Sequence, residues 1–185
     1  MRPAALGAAL AALVALPAAA DRLTLEVAGE ANGSIVIELD KAKAPNHAEQ
    51  IATLAEQGAY DGVVFHRVID GFMAQTGDVE HGKLGSDMRR AGTGGSALPD
   101  LKAEFSDEPF VAGTVGMARA SSPDSANSQF FMMFAPAPHL NGQYTVVGKV
   151  VEGLDVLNAI KRGTGGNGAV IGQPDHIVKA TVTRD

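Results

Sequence analysis

The sequence predicts a mainly β domain, an antiparallel barrel or sandwich of about seven or eight short strands with two helices. Three observations carry this expectation. Segments that alternate apolar and polar residues, the period of half-buried strands, recur along the chain. Only two segments show the three-and-four spacing of an amphipathic helix. Many of the 22 glycines punctuate the connections between these segments, as turns and loops require. At 185 residues the chain is long enough for one domain with a real core. Aromatics make up only 5%, so that core must rely on Val, Ile, Leu, Ala and seven Phe.

The first twenty residues, MRPAALGAALAALVALPAAA, stand apart from the domain. They carry Arg2, an apolar stretch from Leu6 to Leu16, then Pro17 and Ala18-Ala19-Ala20. A positive start, a short apolar stretch and small residues at the end describe a secretory signal peptide, cut after Ala20. The stretch is shorter than the roughly 20 residues of a spanning helix, and no Cys follows the cut to carry a lipid. Residues 21–185 are then a single domain with no membrane partner once the signal is removed. Export without disulfides fits a bacterial periplasm.

The elements follow in order. LTLEV (23–27) and SIVIEL (34–39) alternate as strands, and Asn32-Gly33 between them is a hairpin signal. Pro45 suits a first helical position. Ala48, Ile51, Ala52 and Ala55 continue that helix until Gly58 ends it. Residues 63–69 and 72–76 read as strands broken at Asp70-Gly71. From Gly77 to Pro109 the pattern fades into a long loop, a length that is usually functional or mobile. GTVGMAR (113–119), SQFFMMF (128–134) and YTVVGKV (144–150) read as further strands. Leu154, Leu157 and Ile160 mark a second helix ending near Gly163, and HIVKATVT (176–183) is a last alternating strand.

Several chemistries are excluded or weak. A formal net charge of −6 without a Lys/Arg run argues against nucleic acid and anionic membrane as partners. The absence of Cys removes disulfides, thiol catalysis and Cys-based metal sites. Residues 163–168, GTGGNG, match G-x-G-x-x-G, but a helix precedes them where a dinucleotide site needs a strand. Gly172 and Pro174 follow, so the segment reads as a flexible turn. No pair among the five His has metal-ligand spacing on a plausible element. His66 is expected to hydrogen-bond in the barrel interior. A nucleophile elbow is missing too: GGSAL (94–98) lacks the final Gly.

What remains is an Arg in the wrong place. In FHRVIDGFMAQTGD (65–78) the apolar residues Phe65, Val68, Ile69, Phe72 and Met73 surround Arg67 and precede Gln75. Burying an unpaired charge is costly, so Arg67 lies on a solvent face or reaches into a pocket. GMARASSPDSANSQFFMMF (116–134) and HLNGQYTVVGKV (139–150) have the same mixed character. Gln129, Phe131 and Met133 share one strand face by period two, and a pocket wall explains a Gln among such bulk.

These segments resemble the signature of the cyclophilin family of peptidyl-prolyl cis-trans isomerases. FHRVIDGFMAQTGD is similar to the family's F-H-R-x-I-x-x-F-M-x-Q-x-G-D stretch, NSQFFM to its x-S-Q-F-F-x strand, and VVGKV to its V-F-G-x-V strand with Val147 in place of Phe. KAPNHAEQI and YDGVVFHR resemble the first-helix region and its exit. The likeness spans residues 22–183. It implies a closed eight-stranded antiparallel β-barrel capped by two α-helices, with the site on the outer barrel face. It implies that Arg67 is catalytic and that Phe72, Met73, Phe131 and Leu140 hold a proline ring. Gln75 and the backbone near Ala118 and Arg119 hold peptide carbonyls, and Gln129 and Tyr144 complete the site. No cofactor and no metal is implied. The expected partners are proline-containing unfolded or flexible polypeptides, met by a monomer that assists folding of exported proteins. The rival expectation is a non-catalytic peptide-binding chaperone domain. The sequence departs from the family at His139, where an aromatic is common, at Tyr144, which replaces a rim His, and at Arg119, which stands where many members have Asn. The first of these implies weak binding of the cyclic peptide inhibitor cyclosporin.

Overall fold

The computed structural model describes residues 20–185. The stretch expected to be a signal peptide, all but Ala20, lies outside the described residues.

Alternating sequence becomes alternating burial. β1 (Arg22–Ala28) and β2 (Gly33–Leu39) pair antiparallel around the Asn32-Gly33 turn, from Arg22 opposite Glu38 to Val27 opposite Gly33. Leu23, Leu25 and Val27 point to the core, as do Ile35, Ile37 and Leu39. α1 (Pro45–Glu56) buries Ala48, Ile51, Ala52 and Ala55 and packs on the sheet. No side chain of its own caps its start. Glu104 does so from the long loop, accepting the Asn46 and His47 backbone N–H groups at 3.2 and 3.1 Å. The same carboxylate meets His47 Nδ1 at 2.6 Å.

β3 (Arg67–Ile69), β4 (Met73–Thr76), β5 (Thr114–Met117), β6 (Phe130–Met133), β7 (Val146–Glu152), α2 (Leu154–Ala159) and β8 (His176–Thr183) complete the fold. The eight strands form one sheet in the order β3-β4-β6-β5-β7-β2-β1-β8. Every pairing is antiparallel. The sheet's two faces carry separate apolar clusters. Phe130 and Met132 of β6 join the large inner core with Leu25, Ile37, Phe65 and Val147. Phe131 and Met133 point the other way, into a smaller cluster with Met73, Phe110 and Leu140. The period-two reading of β6 therefore holds.

Two expectations need correction. The 63–69 run is not one strand. Val63 and Val64 make isolated bridges to Lys83 and His176, and β3 begins only at Arg67. The barrel is also not closed: the sheet curls through 223° and stays open between β3 and β8. The reason is local. β3 is three residues long, and its outer edge is taken by the turn after α2. Gly163 N–H donates to Val68 O at 2.8 Å and Val170 N–H to His66 O at 3.1 Å. β8 meets only the stretch before β3, through Phe65 N–H to Asp175 O at 2.9 Å and Ile177 N–H to Val63 O at 2.8 Å.

The long loop is tied down by buried polar groups. Asp78 is fully buried and accepts the backbone N–H groups of Glu80, His81, Gly92 and Gly94 at 2.7–3.1 Å. Asn127 joins the loop near Ser96 to that near Leu98 and Asp100.

Asp175 holds the seam. It is buried, and its carboxylate accepts Ala31 N–H at 3.1 Å and Lys161 N–H at 2.7 Å. It thereby joins the β1–β2 turn to the exit of α2. Asp175→Ala strands both donors and should cost about 2–3 kcal/mol. Urea unfolding should show a lower midpoint with an unchanged slope. A midpoint equal to wild type would mean water replaces the carboxylate without loss.

Candidate active site

Strand register builds the site. Arg67 of β3 lies opposite Gln75 of β4, Gln75 opposite Phe131 of β6, and Phe131 opposite Gly116 of β5. One row across four strands thus presents a cation, an amide, an aromatic ring and a gap on the outer face. The gap is needed. A Cβ on Gly116 would lie 2.5 Å from the Phe131 ring and 2.6 Å from the Phe110 ring, which stack at 5.8 Å between centroids. Tyr144 meets the Phe131 ring edge-on, also at 5.8 Å.

Arg67, Phe72, Met73, Gln75, Ala118, Arg119, Phe131, Leu140 and Tyr144 line one concavity of about 160 Å³. Gln129 lies in the adjoining groove of about 500 Å³, beside Gly94 and Asn127. Every site residue expected from the sequence is therefore in one of two joined depressions. A separate depression of about 600 Å³ between β2, β7 and Glu108-Pro109 holds none of them. His139 is exposed at the rim, its ring 5.8 Å from that of Phe72.

The placement of Arg67 among apolar residues has a geometric answer. The residue is half-buried, and Nη1 donates to Gln75 Oε1 at 3.0 Å. Nε donates to Asn167 O at 2.9 Å and Nη2 to Asn167 Oδ1 at 3.1 Å. Burial pulls its pKa down from the ordinary arginine value, yet arginine stays cationic in proteins. Among the described residues no carboxylate lies within 4.0 Å of it. Nη1 also meets Met73 Sδ at 3.9 Å. All four acceptors are neutral, so its charge is positioned without being cancelled.

A hydrogen-bonded chain continues from Gln75. Its Nε2 donates to Gln129 Oε1 at 3.0 Å, and Gln129 Nε2 donates to Gly94 O at 2.8 Å. Gly94 N–H ends on the buried Asp78. Burial raises the Asp78 pKa, but the four backbone donors outweigh it and hold the carboxyl below its usual range. The long loop thus positions the amide row. Arg119 lies over the Tyr144 ring at 4.4 Å and donates to Gln143 O at 2.9 Å.

Comparison with known proteins agrees with this geometry. Residues 22–182 match the model of the cyclophilin type peptidyl-prolyl cis-trans isomerase/CLD family. The chain belongs to the cyclophilin family. A probable peptidyl-prolyl cis-trans isomerase of Brucella suis is 58% identical over 156 residues, covering 83% of this chain and 80% of that one. A peptidyl-prolyl cis-trans isomerase of Helicobacter pylori is 42% identical, covering 71% and 76%. The crystal structure of cyclophilin AquaCyp293 from Hirschia baltica superposes with a TM-score of 0.70 at 28% identity, covering 86% of this chain and 73% of that one. A Cryptosporidium parvum cyclophilin determined in the presence of the dipeptide Ala-Pro shares the fold, with a TM-score of 0.72 at 23% identity, covering 89% and 99%.

Sequence reasoning missed three features of this cyclophilin site. Gly116, the Gly94 carbonyl and Asn167 carry no side-chain signal that points to a pocket. An Asn flanked by Gly on both sides, as at 166–168, is the one clue to a left-handed backbone. The reading of His66 also needs correction. Neither ring nitrogen finds a hydrogen-bond partner. The ring lies against Gly92, where an added Cβ would be 3.0 Å from it. Burial pushes its pKa down to about 4, the Arg67 cation adds to this, and Asp78 opposes it.

That burial sets a pH limit. The unfolded chain takes up the His66 proton below its ordinary 6.5, while the folded chain resists until about 4. Stability should therefore fall as pH drops through that window. His66→Leu should flatten the decline between pH 6.5 and 4, read as melting temperature against pH. Parallel curves for the two proteins would assign the decline to other groups.

Proposed function

We propose that this chain rotates X-Pro peptide bonds in unfolded or flexible exported polypeptides, with Arg67 as the catalytic cation. One observation carries the reading: the Arg67 guanidinium is held by neutral acceptors in the wall of a small pocket that also presents Phe72, Met73, Phe131 and Leu140. The barrier to rotation is ~18–20 kcal/mol because the amide is partly double-bonded. When the bond twists, conjugation is lost and the prolyl nitrogen gains a lone pair. A fixed donor near that nitrogen favours the twisted form over both planar forms, which is the differential binding that catalysis requires. Phe72, Met73, Phe131 and Leu140 enclose the ring, and Gln75 with the Arg119 backbone N–H holds peptide carbonyls; the Ala118 N–H is already given to Gln129 O at 2.9 Å. No proton or electron is transferred, so no cofactor enters. A second reading, a peptide-binding chaperone without turnover, draws on the open groove beside the pocket. The protein acts as a monomer in this proposal.

The export part of the proposal rests on residues 1–20 alone. N-terminal sequencing of periplasmic material should begin at Asp21. Recovery of intact Met1 in the membrane fraction would refute it.

Arg67→Ala separates catalysis from binding. Loss of a preorganised donor typically costs ~2.7–4 kcal/mol, or about 100- to 1,000-fold in rate. Arg67→Lys should restore little, since an ammonium lacks the planar fork. Melting should change little, because the acceptors Gln75 and Asn167 are accessible to water. A protease-coupled isomerisation assay and thermal melting on the same samples decide the matter. Near-normal turnover in folded Arg67→Ala favours the chaperone reading, and a collapsed transition makes Arg67 structural.

A further inference from the structure

The GTGGNG segment at 163–168 has no dinucleotide to bind, yet it is not an idle turn. It follows α2 and lies along the open edge of β3, bonded to the backbone on either side of Arg67. Gly163 N–H reaches Val68 O, Val170 N–H reaches His66 O, and Ala169 forms an isolated bridge with Arg67 itself. Gly168 has φ 78 and sits so close to β3 that an added Cβ would lie 2.4 Å from Ile69 Cγ1. The segment is thus docked on β3 in a fixed register.

Asn167 stands where glycine is usual and Asn is the best-tolerated substitute. It has φ 55 and ψ 28, and it is the only non-glycine residue with positive φ among the described residues. Left-handed backbone disfavours residues with a Cβ, and glycine is the usual occupant. Four of the six residues here are glycine, but the left-handed Asn167 is not. Its carboxamide has a use at this position. The backbone oxygen accepts Arg67 Nε–H at 2.9 Å and Oδ1 accepts Nη2–H at 3.1 Å. One residue therefore clamps a whole edge of the guanidinium through two acceptors. Gln75 Oε1 takes the Nη1 corner at 3.0 Å. The plane of the cation is pinned at all three nitrogens.

We propose that Asn167 is a positioning residue for the isomerase reaction, fixing the Arg67 guanidinium plane through its left-handed backbone and its carboxamide. The proposal rests on the reading of Arg67 as the catalytic cation. A preorganised donor stabilises a transition state because it needs no reorientation at the moment of reaction, and small misplacements are expensive. Asn167 is exposed, so its substitution leaves the core intact. A neutral acceptor is required in this role, because a carboxylate there would cancel the charge it holds.

Three variants test this on the purified protein, with exchange NMR on a proline peptide over a range of concentrations. Asn167→Gly keeps the left-handed backbone and its carbonyl and removes only Oδ1. It should lower kcat about 10-fold, the weight of a hydrogen bond to a charged group, with KM little changed. The 15N Arg67 Nε–H signal should broaden as the guanidinium begins to reorient, while melting stays near wild type. Asn167→Ala should match the Gly variant in kcat but melt lower, since it adds backbone strain to the same loss. Arg67→Ala is the control. If it is inactive and Asn167→Gly has wild-type kcat with a sharp Nε–H signal, the positioning role is overturned and the isomerase reading stands. A rise in KM at constant kcat overturns it too, making Asn167 a peptide contact. Retained turnover in Arg67→Ala removes both.

Discussion

The structure turns on a half-buried cation that is held but not neutralised. Arg67 has four hydrogen bonds, all to neutral acceptors, and no carboxylate within reach among the described residues. An ion pair would be an easier way to stabilise a guanidinium in this position, and it would cancel the field that a twisted amide feels. Neutral acceptors demand more of the fold, because each must be aimed. Gln75 is aimed by strand register, and it is in turn fixed through Gln129, Gly94 and the buried Asp78. A long loop that looks like spare chain is therefore part of the site's support.

The same need accounts for the open seam. A sheet closed between β3 and β8 would place a strand along the outer edge of Arg67. Instead a glycine-rich turn occupies that edge and brings Asn167 to the guanidinium. Closure is replaced by point attachments: the carboxylate of Asp175 and backbone bonds from Phe65 and Ile177. The sheet keeps its inner core, with α1 packed on it, while its outer face is free to carry the second apolar cluster.

Much of this was legible in the chain. Seven of the eight strands and both helices were anticipated in place, and the eighth, β3, was anticipated too long. The opposite faces of Phe130 and Phe131 followed from period two alone. Arg67 stood out because a charge in an apolar run is costly unless it has a purpose. The pocket as a set came from likeness to the cyclophilin family, whose motifs bring together residues far apart in sequence. Three readings failed for a common reason. The unbroken 63–69 strand, the closed barrel and the hydrogen-bonded His66 each depended on which distant backbone lies alongside.

The sequence by itself determined periodicity, turn positions, the chemical types available and the family. These are local properties, set by side chains and backbone sterics within a few residues. Only the tertiary structure decided which groups meet Arg67. Asn167 is 100 residues from it, and Glu104 caps a helix through Asn46, 58 residues earlier. Such partners are chosen by the register and curl of the sheet. No window of the chain contains that information, because hydrogen-bond geometry at a site is fixed by the packing of the whole domain.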